Sequence, residues 1–214
     1  RDVAVTGVQT CALPIFPYLF MMRPDSGINS IKDLVAAAKA KPGTLNYGSS
    51  GTGAGAHLSV VQFAQMTGID VVHIPYKGSA PAAADLMGGH LQFVSEGVNA
   101  TMPLVKGGRL TAIGIGSAKR QPALPEVPTI AESGVPGYTY DSGHGICASS
   151  ATPAPIIELL GREIGAVANL PEVRDRFIAM ASEPVGSTPR EFTAEMEALI
   201  PRLDALYKLV GPAR

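Results

Sequence analysis

The stretch TLNYGSSGTGAGAH, residues 44–57, predicts a short strand, then a loop of small residues, then the start of a helix. Backbone N–H groups in such a loop can approach an anion closely because no large side chain blocks them, and the helix start adds positive potential. Close packing at a tight strand-to-helix turn would require the same glycines. The stretch is therefore typical of either an anion-binding loop or a packed turn.

The flanking sequence repeats this strand-then-helix unit. Apolar runs predict strands at 16–22, 44–48, 71–75, 91–95 and 110–115. Amphipathic runs between them predict helices at 31–41, 55–67, 81–87 and 99–105. A capping box at Ser30 and Asp33 begins the first helix, and Gly68 ends the second. Strands that alternate with helices of this length predict right-handed crossovers and a mostly parallel sheet in an α/β fold.

Polar residues follow the predicted strands, and open α/β sheets bind ligands at the edge where the carboxyl ends of parallel strands meet. Each residue also has a simpler interpretation: Tyr76 as core, Lys77 as a surface ion, Glu96 as a solvated carboxylate, and His57 as a capping or solvated side chain. Ser79 is predicted to cap the third helix. The candidate edge residues are Ser49, Ser50, Gly51, Thr52, Gly53, Tyr76, Lys77, Gly78, Ser79, Ser95, Glu96 and Ser117.

After Ser117 the sequence changes character. A proline-rich connection with a capping box at Thr129 and Glu132 leads to an extended stretch at 138–149. Helices are predicted at 155–169, at 171–181 and from Thr188 onward, where Pro201 should kink or interrupt the last one. The helix at 155–169 carries an apolar face formed by Ile156, Leu159, Leu160, Ile164 and Val167.

Composition excludes several classes of protein. The 214 residues are 46% hydrophobic and carry a net charge of −1, without a basic patch, so nucleic acid is not an expected partner. No apolar run reaches the roughly 20 residues that span a bilayer. Two cysteines, Cys11 and Cys147, allow one disulfide but do not support it, and they form no metal motif.

Enzyme motifs fit the glycine loop poorly. Gly51-x-Gly53-x-x-Ala56 matches a loose dinucleotide fingerprint, but the acid that should end the next strand is instead Asp70, at its beginning. Thr52 stands where a nucleophile elbow needs glycine, and no Lys-Ser or Lys-Thr follows as in a P-loop. We therefore expect no cofactor and no catalytic residues.

The histidines do not have the spacing of a metal site, so no metal is expected. An enzyme that binds a phosphate or nucleotide at the glycine loop, with Lys77 and Glu96 as acid and base, stays open as an alternative.

Four motifs occur in order: PGTLNYGSSGTGAGAH, VVHIPYKGSAPAAADLMGGHLQF, SAKRQPALPEVPTIAESGVPGY and EPVGSTPREF. From about residue 16 to the C-terminus they resemble the solute-binding receptors of tripartite tricarboxylate transporters, the TctC or Bug family. The resemblance implies a type II-like periplasmic binding protein with two α/β lobes, a cleft between them that closes by a hinge motion, and no catalysis. It further implies a monomer that binds a small organic acid, largely through main-chain N–H groups, and delivers it to membrane permease subunits.

The family's motifs place ligand contacts at particular positions. Its glycine loop falls on residues 47–57, with Ala54 where serine is common, and its YKGSAPA motif falls on residues 76–82 unchanged. Family members usually have a Phe-Asp pair where this chain has Ser95-Glu96. They commonly have a Trp-Phe pair where this chain has Gly143-His144. The implied ligand-binding residues are Tyr47, Ser49, Ser50, Gly51, Thr52, Gly53, His57, Tyr76, Lys77, Gly78, Ser79, Glu96 and His144.

The resemblance also divides the chain. Residues 1–15 do not resemble the family and are interpreted as a non-native, adaptor-derived segment. Residues 16–117 are expected to form a complete ligand-binding lobe, and 118–214 a linker with the remainder of the second lobe. A complete member begins with a signal peptide and a further half-domain that nothing here matches. We therefore expect a truncated chain with one incomplete lobe and exposed apolar surface on its C-terminal helices, and a fragment without ligand function is the remaining alternative.

Overall fold

The computed structural model describes the backbone of residues 7–210 and the side chains of residues 14–210. The side chain of Cys11 and the first six residues of the predicted adaptor-derived segment lie outside that description. Two compact units divide the chain. Unit 1 comprises Arg1–Ile15 and Gly143–Ala205, and unit 2 comprises Phe16–Ser142 and Leu206–Arg214. The connection at 118–142 therefore belongs to unit 2.

Unit 2 is built on a mixed sheet whose strands lie in the order β3-β2-β4-β1-β5. Strand β2 is parallel to both β3 and β4, whereas β1 lies antiparallel between β4 and β5. Four strands thus run in one direction, as predicted, and β1 runs against them. The strands are β1 (Gly7–Met22), β2 (Asn46–Ser49), β3 (Val72–Pro75), β4 (Phe93–Gly97) and β5 (Thr111–Ile115).

The helices of unit 2 connect these strands and follow the predicted cap signals. Ser30 caps α1, because its hydroxyl accepts the N–H of Asp33 at 3.1 Å. Gly68 ends α2 in the left-handed conformation at φ 67°, which glycine adopts without a side-chain clash. The helices are α1 (Ile31–Ala40), α2 (Gly55–Thr67), α3 (Ser79–Met87) and α4 (Val98–Lys106).

The core of unit 2 forms around Phe20 of β1, which is fully buried. Its ring lies 5.0 Å from Phe63, 6.1 Å from Phe93 and 6.2 Å from Tyr138. Burial of one such side chain stabilises a fold by about 1.5–3 kcal/mol. Tyr138 follows the proline-rich connection, and its hydroxyl donates to the carbonyl of Ser59 at 3.0 Å. The connection therefore contributes to this core.

Unit 1 contains β6 (Asp141–Ser149), α5 (Ala154–Ala168), α6 (Pro171–Ala179) and most of α7 (Pro189–Val210). The first part of β1 also belongs here, since that strand begins at Gly7 rather than at residue 16. Ile15 and Glu183 exchange two backbone hydrogen bonds of 2.7 and 2.9 Å. Helix α7 continues through Pro201, so of the predicted kink or interruption the interruption is wrong, and the kink stays a prediction.

Apolar side chains cover the outer face of α5. Ile156, Leu159, Leu160 and Val167 are 39–54% exposed, whereas Ile157 is buried. The expectation that the C-terminal helices expose apolar surface is therefore confirmed. Among the described residues, no helix combines the length and the hydrophobicity needed to cross a bilayer.

Candidate ligand-binding site

The shared direction of β2, β3, β4 and β5 brings their carboxyl ends to one edge of the sheet, as the sequence predicts. Helices α2, α3 and α4 begin directly after β2, β3 and β4 at this edge. None of the three has a side-chain hydrogen bond from its N-cap residue, and in the first turn of α4 Asn99 accepts the N–H of Ala100 at 3.0 Å. Three uncapped helix starts give the edge a positive potential.

The glycine loop after β2 is held in shape by its own residues. Gly51 and Gly53 have φ angles of 146° and 76°, which residues with a β-carbon rarely adopt. The hydroxyl of fully buried Ser49 accepts the N–H of Gly51 at 3.3 Å and donates to its carbonyl at 3.1 Å. Ser50 is half-buried and Thr52 is exposed. Ser49 therefore shapes the loop from inside.

Gly53 is bonded through both of its backbone polar groups. Its N–H donates to Nδ1 of His57 at 3.0 Å, and its carbonyl accepts the hydroxyl of Tyr207 at 2.8 Å. A β-carbon at Gly53 would lie 2.9 Å from the Tyr207 ring. The N–H groups of Gly51 and Gly53 thus fix the loop's conformation, although the sequence predicts such donors to approach the anion.

A pair of histidines lies beneath this loop. The rings of His57 and His73 stack with centroids 3.7 Å apart, and Tyr47 flanks both. Nε2 of His73 lies 2.7 Å from the hydroxyl of Ser49. Loss of hydration lowers the pKa of both histidines, and the neighbouring His57 contributes to a pKa of about 4 for His73. His57 is buried, so its interpretation as a solvated residue is wrong.

Sequence reasoning did not select His73. No local pattern singles it out, because its position beside Tyr47 depends on the pairing of β2 with β3. A cleft of about 410 Å³ lies beside this group, lined among others by Tyr47, His57, His73 and Asp70. Burial also raises the pKa of the Tyr47 hydroxyl.

The second predicted motif divides into buried and exposed parts. The hydroxyl of Tyr76 donates to Asp85 at 2.7 Å, and burial together with this carboxylate raises the pKa of Tyr76 to about 12. Lys77 is exposed. Gly78, at φ 113°, occupies the N-cap position of α3, and Ser79 is the first residue of that helix. The prediction that Ser79 caps α3 is therefore wrong.

Ser79 instead donates its hydroxyl to Oε2 of Glu96 at 2.7 Å. Glu96 is 2% exposed, which contradicts its interpretation as a solvated carboxylate. Burial raises its pKa, while hydrogen bonds from Ser79, Ser50 and Gly97 act in the opposite direction. Oε1 of Glu96 is buried and has no hydrogen-bond partner among the described residues.

Tyr18 was not among the predicted site residues, yet the reversed direction of β1 brings it to the same edge. It pairs with Gly97 at the end of β4, and Glu96 helps to raise the pKa of its hydroxyl, after the larger effect of burial. A β-carbon at Gly55, the first residue of α2, would overlap the Tyr18 hydroxyl. No local pattern could reveal this contact, since it depends on strand order.

Two predicted residues differ from this group. Ser117 donates its hydroxyl to the carbonyl of Lys119 at 2.7 Å, so it closes its own turn. His144 is an exposed residue of β6 in unit 1, whereas the other predicted ligand-binding residues belong to unit 2. Within the described side chains, no three potential metal ligands come together.

The sequence of this chain matches a known family model over most of its length. A family model described as "Tripartite tricarboxylate transporter family receptor" matches residues 6–200. The chain belongs to this receptor family. The match begins before residue 16, the predicted start of the resemblance. The non-native origin of residues 1–15 stays a prediction. The tripartite tricarboxylate transporter receptors are a binding-protein family rather than an enzyme family.

Curated members of the family agree with this assignment. Protein BugT of Bordetella pertussis is 34% identical over 173 residues, which cover 81% of this chain and 53% of BugT. A UPF0065 protein from the tcbD-tcbE intergenic region of Pseudomonas sp. strain P51 is 33% identical over 174 residues, covering 81% of this chain and 52% of the relative. The chain spans about half the length of these curated relatives.

Solved structures show the same fold. R. palustris Rpa4515, solved with adipate, superposes with a TM-score of 0.92 at 32% identity, over 99% of this chain and 71% of that one. The periplasmic binding protein BugD superposes with a TM-score of 0.86 at 28% identity, over 96% of this chain and 69% of BugD. The predicted α/β fold of the periplasmic binding proteins is therefore confirmed.

Proposed function

We propose that this chain acts as a periplasmic receptor that binds a small organic carboxylate and presents it to the permease subunits of a tripartite tricarboxylate transporter. Membership of the receptor family supports binding rather than catalysis. Rpa4515, at 32% identity, was solved with adipate, a dicarboxylate. Permease subunits are the proposed partner because the family description names a tripartite transporter, and the receptor is proposed to work as a monomer.

One observation of the site carries the proposal. Three uncapped helices begin at one edge of the sheet, beside a loop that Ser49 and His57 hold in a fixed shape. An edge of this kind attracts a negatively charged group without a lysine or arginine. Lys77 is exposed and contributes at most a peripheral charge. The ligand's carboxylate is therefore proposed to lie at this edge, held in part by residues 47–57 and 76–79 and by Glu96.

The segment 16–117 is proposed as the ligand-binding lobe. Residues 16–117 supply the sheet and the three helix starts, and so contain this part of the ligand site. A ligand contact by His144, which belongs to unit 1, stays a prediction from the family resemblance.

Thermal denaturation with a panel of organic acids tests the proposal. Adipate, shorter and longer dicarboxylates, tricarboxylates, aromatic acids and amino acids are each added to the 214-residue chain. Binding to the folded state alone raises the melting temperature as the ligand concentration increases. Adipamide, which keeps the length of adipate without its charges, is the matched control and should have no effect.

Two outcomes would contradict the proposal. If no acid of the panel raises the melting temperature, carboxylate binding by this chain is wrong. If nucleotides raise it and carboxylates do not, the glycine loop belongs to a phosphate-binding protein instead. Light scattering on the same samples checks the monomeric state with and without the acid.

A further inference from the structure

Glu96 combines two properties that are unusual in one side chain. It is 2% exposed, and its Oε1 has no hydrogen-bond partner among the described residues. Buried carboxylate oxygens are normally hydrogen-bonded, because water is no longer available to them. An unpaired oxygen at a ligand-binding edge therefore indicates a partner that arrives with the ligand.

The hydrogen bonds of Glu96 indicate which oxygen would carry a proton. Oε2 accepts the hydroxyl of Ser79 at 2.7 Å. When the carboxyl group is neutral, the proton therefore belongs on Oε1, which has no hydrogen-bond partner among the described residues. A carboxylate of the ligand is an acceptor only. The two groups are complementary.

The charges around Glu96 favour this arrangement. Helices α2, α3 and α4 attract an anion to the edge that also holds Glu96. Two adjacent carboxylates do not both stay ionised, since like charges at short distance raise the pKa of one of them. Burial already raises the pKa of Glu96 before any ligand is present.

Among the described residues, Tyr18 on β1 has a resolved electrostatic interaction with Glu96, and its own raised pKa keeps it neutral. Ser50 and Ser79, which bond to Glu96, carry no charge. The other titratable groups on the elements packed around β4 are Tyr47 on β2, His57 on α2, Asp85 on α3 and Lys106 on α4.

We propose that Glu96 binds the ligand's carboxylate as the neutral acid, donating the proton on Oε1, so that one proton is taken up from solvent with each ligand. The proposal rests on the carboxylate-binding function above and deepens it. Glu96 becomes a specificity-determining residue that selects an acceptor and makes binding depend on pH. Reaching Oε1 requires the loop containing Ser50 or the start of α3 to move aside, since the atom is shielded from solvent.

Calorimetry in buffers of different ionisation enthalpy tests this proton uptake. Adipate, or the panel acid that binds most tightly, is titrated into the wild type, Glu96→Gln and Glu126→Gln at about pH 6, 7 and 8. Glutamine keeps an acceptor for Ser79 and a donor in place of the acid proton. Glu126 is an exposed residue of unit 2, so its variant controls for the loss of one charge.

The expected results differ between the variants. The wild type and Glu126→Gln take up close to one proton for each ligand at the highest pH, and their dissociation constants rise by up to about tenfold per pH unit. Glu96→Gln takes up no proton and binds with an affinity that does not change over this range. No uptake by the wild type, or equal uptake by Glu96→Gln, overturns the proposal.

Two further outcomes separate this proposal from its alternatives. If Glu96→Gln loses binding while the wild type takes up no proton, Glu96 acts as an ionised acceptor for a hydroxyl or ammonium group of the ligand, and the proposal is wrong. If no acid binds, the proposed function fails. Failure of this proposal alone is binding without proton uptake, so the two failures are distinguishable.

Discussion

The imidazole rings of His57 and His73 stack face to face, with centroids 3.7 Å apart and planes 13° apart. Each ring also bonds to the glycine loop, His57 through the N–H of Gly53 and His73 through the hydroxyl of Ser49. Two charged imidazoles at this distance would repel each other, and a protonated Nδ1 of His57 could not accept the N–H of Gly53. The shape of the loop therefore depends on neutral histidines.

Acidification should consequently destabilise the chain. The pKa of His73 falls from 6.5 to about 4 on folding, so the unfolded state binds more protons between these values. The free energy of unfolding therefore decreases as the pH falls from 6.5 towards 4, and this contribution is fully lost below 4. Urea unfolding of the wild type and of His73→Phe at several pH values measures the effect.

His73→Phe should show a shallower pH dependence, because phenylalanine keeps the stack without a titratable group. It also loses the bond to Ser49, which lowers stability by about 1 kcal/mol at neutral pH. His90→Gln, at an exposed position, is the control and should follow the wild type. If the free energy of unfolding changes equally with pH in the wild type and in His73→Phe, the stacked pair is not the cause of the pH dependence.

The conformation of the glycine loop should matter more for binding than the charge of Lys77. Gly53→Val places a β-branched residue at φ 76° and brings a β-carbon to 2.9 Å from Tyr207. We expect it to weaken adipate binding by about tenfold or more and to lower stability by about 1–3 kcal/mol. Lys77→Ala should weaken binding less, since that side chain is exposed.

Gly108→Val separates strain from binding. Gly108 has φ 67° and open space where a β-carbon would lie, and it follows α4 away from the glycine loop. This variant should lose stability without losing affinity, as measured by urea unfolding and calorimetry. Equal losses of affinity in Gly53→Val and Lys77→Ala would count against the loop model.

The buried serines Ser59 and Ser95 should respond unequally to alanine. Their hydroxyl oxygens lie 2.6 Å apart, and Ser59 also donates to the carbonyl of Ala56 at 2.8 Å. Ser59→Ala leaves the Ser95 hydroxyl buried without this partner, so we expect a loss of about 1–3 kcal/mol. Ser95→Ala leaves Ser59 bonded to Ala56 and should lower stability by about 1 kcal/mol.

The double variant should then lose less than the sum of the single losses, since neither hydroxyl remains unsatisfied. Urea unfolding of the four proteins gives the coupling energy directly. Additive losses would show that the two hydroxyl groups do not depend on each other.

The exposed face of α5 should tolerate charge. Leu159 is 45% exposed, so Leu159→Glu should change stability by less than about 0.5 kcal/mol and reduce self-association at high concentration. Ile157, two residues earlier in α5 and 4% exposed, is the matched buried position, and Ile157→Glu should lose about 3 kcal/mol or more. Urea unfolding measures the stability of both variants, and light scattering measures their self-association. Similar losses of stability in the two variants would show that the face of α5 is covered in solution.

Much of the fold could be read from short stretches of sequence. Helix α2 covers residues 55–67 as predicted. The capping boxes at Thr129 and Thr188 form both of their hydrogen bonds, and Ser30 accepts the N–H of Asp33. These features depend on residues a few positions apart, whose backbone and side chains meet whatever the rest of the chain does.

The composition of the candidate site could be predicted only in part. The loops at residues 49–53 and 76–79 do lie at one edge with Glu96, because parallel strands align their carboxyl ends. Local signals failed where a side chain had two possible partners. Ser79 could cap α3 or bond to Glu96, and only the position of β4 beside α3 decides for Glu96.

By itself, the sequence determined the strand-and-helix alternation, the glycine loop and the family. Tertiary structure alone decided that β1 lies antiparallel between β4 and β5, which brings Tyr18 to the site, and that His73 stacks on His57. It also buried Glu96 with one oxygen unpaired. The physical reason is that periodicity and capping are short-range effects, whereas strand order, ring stacking and loss of hydration depend on residues far apart in the chain.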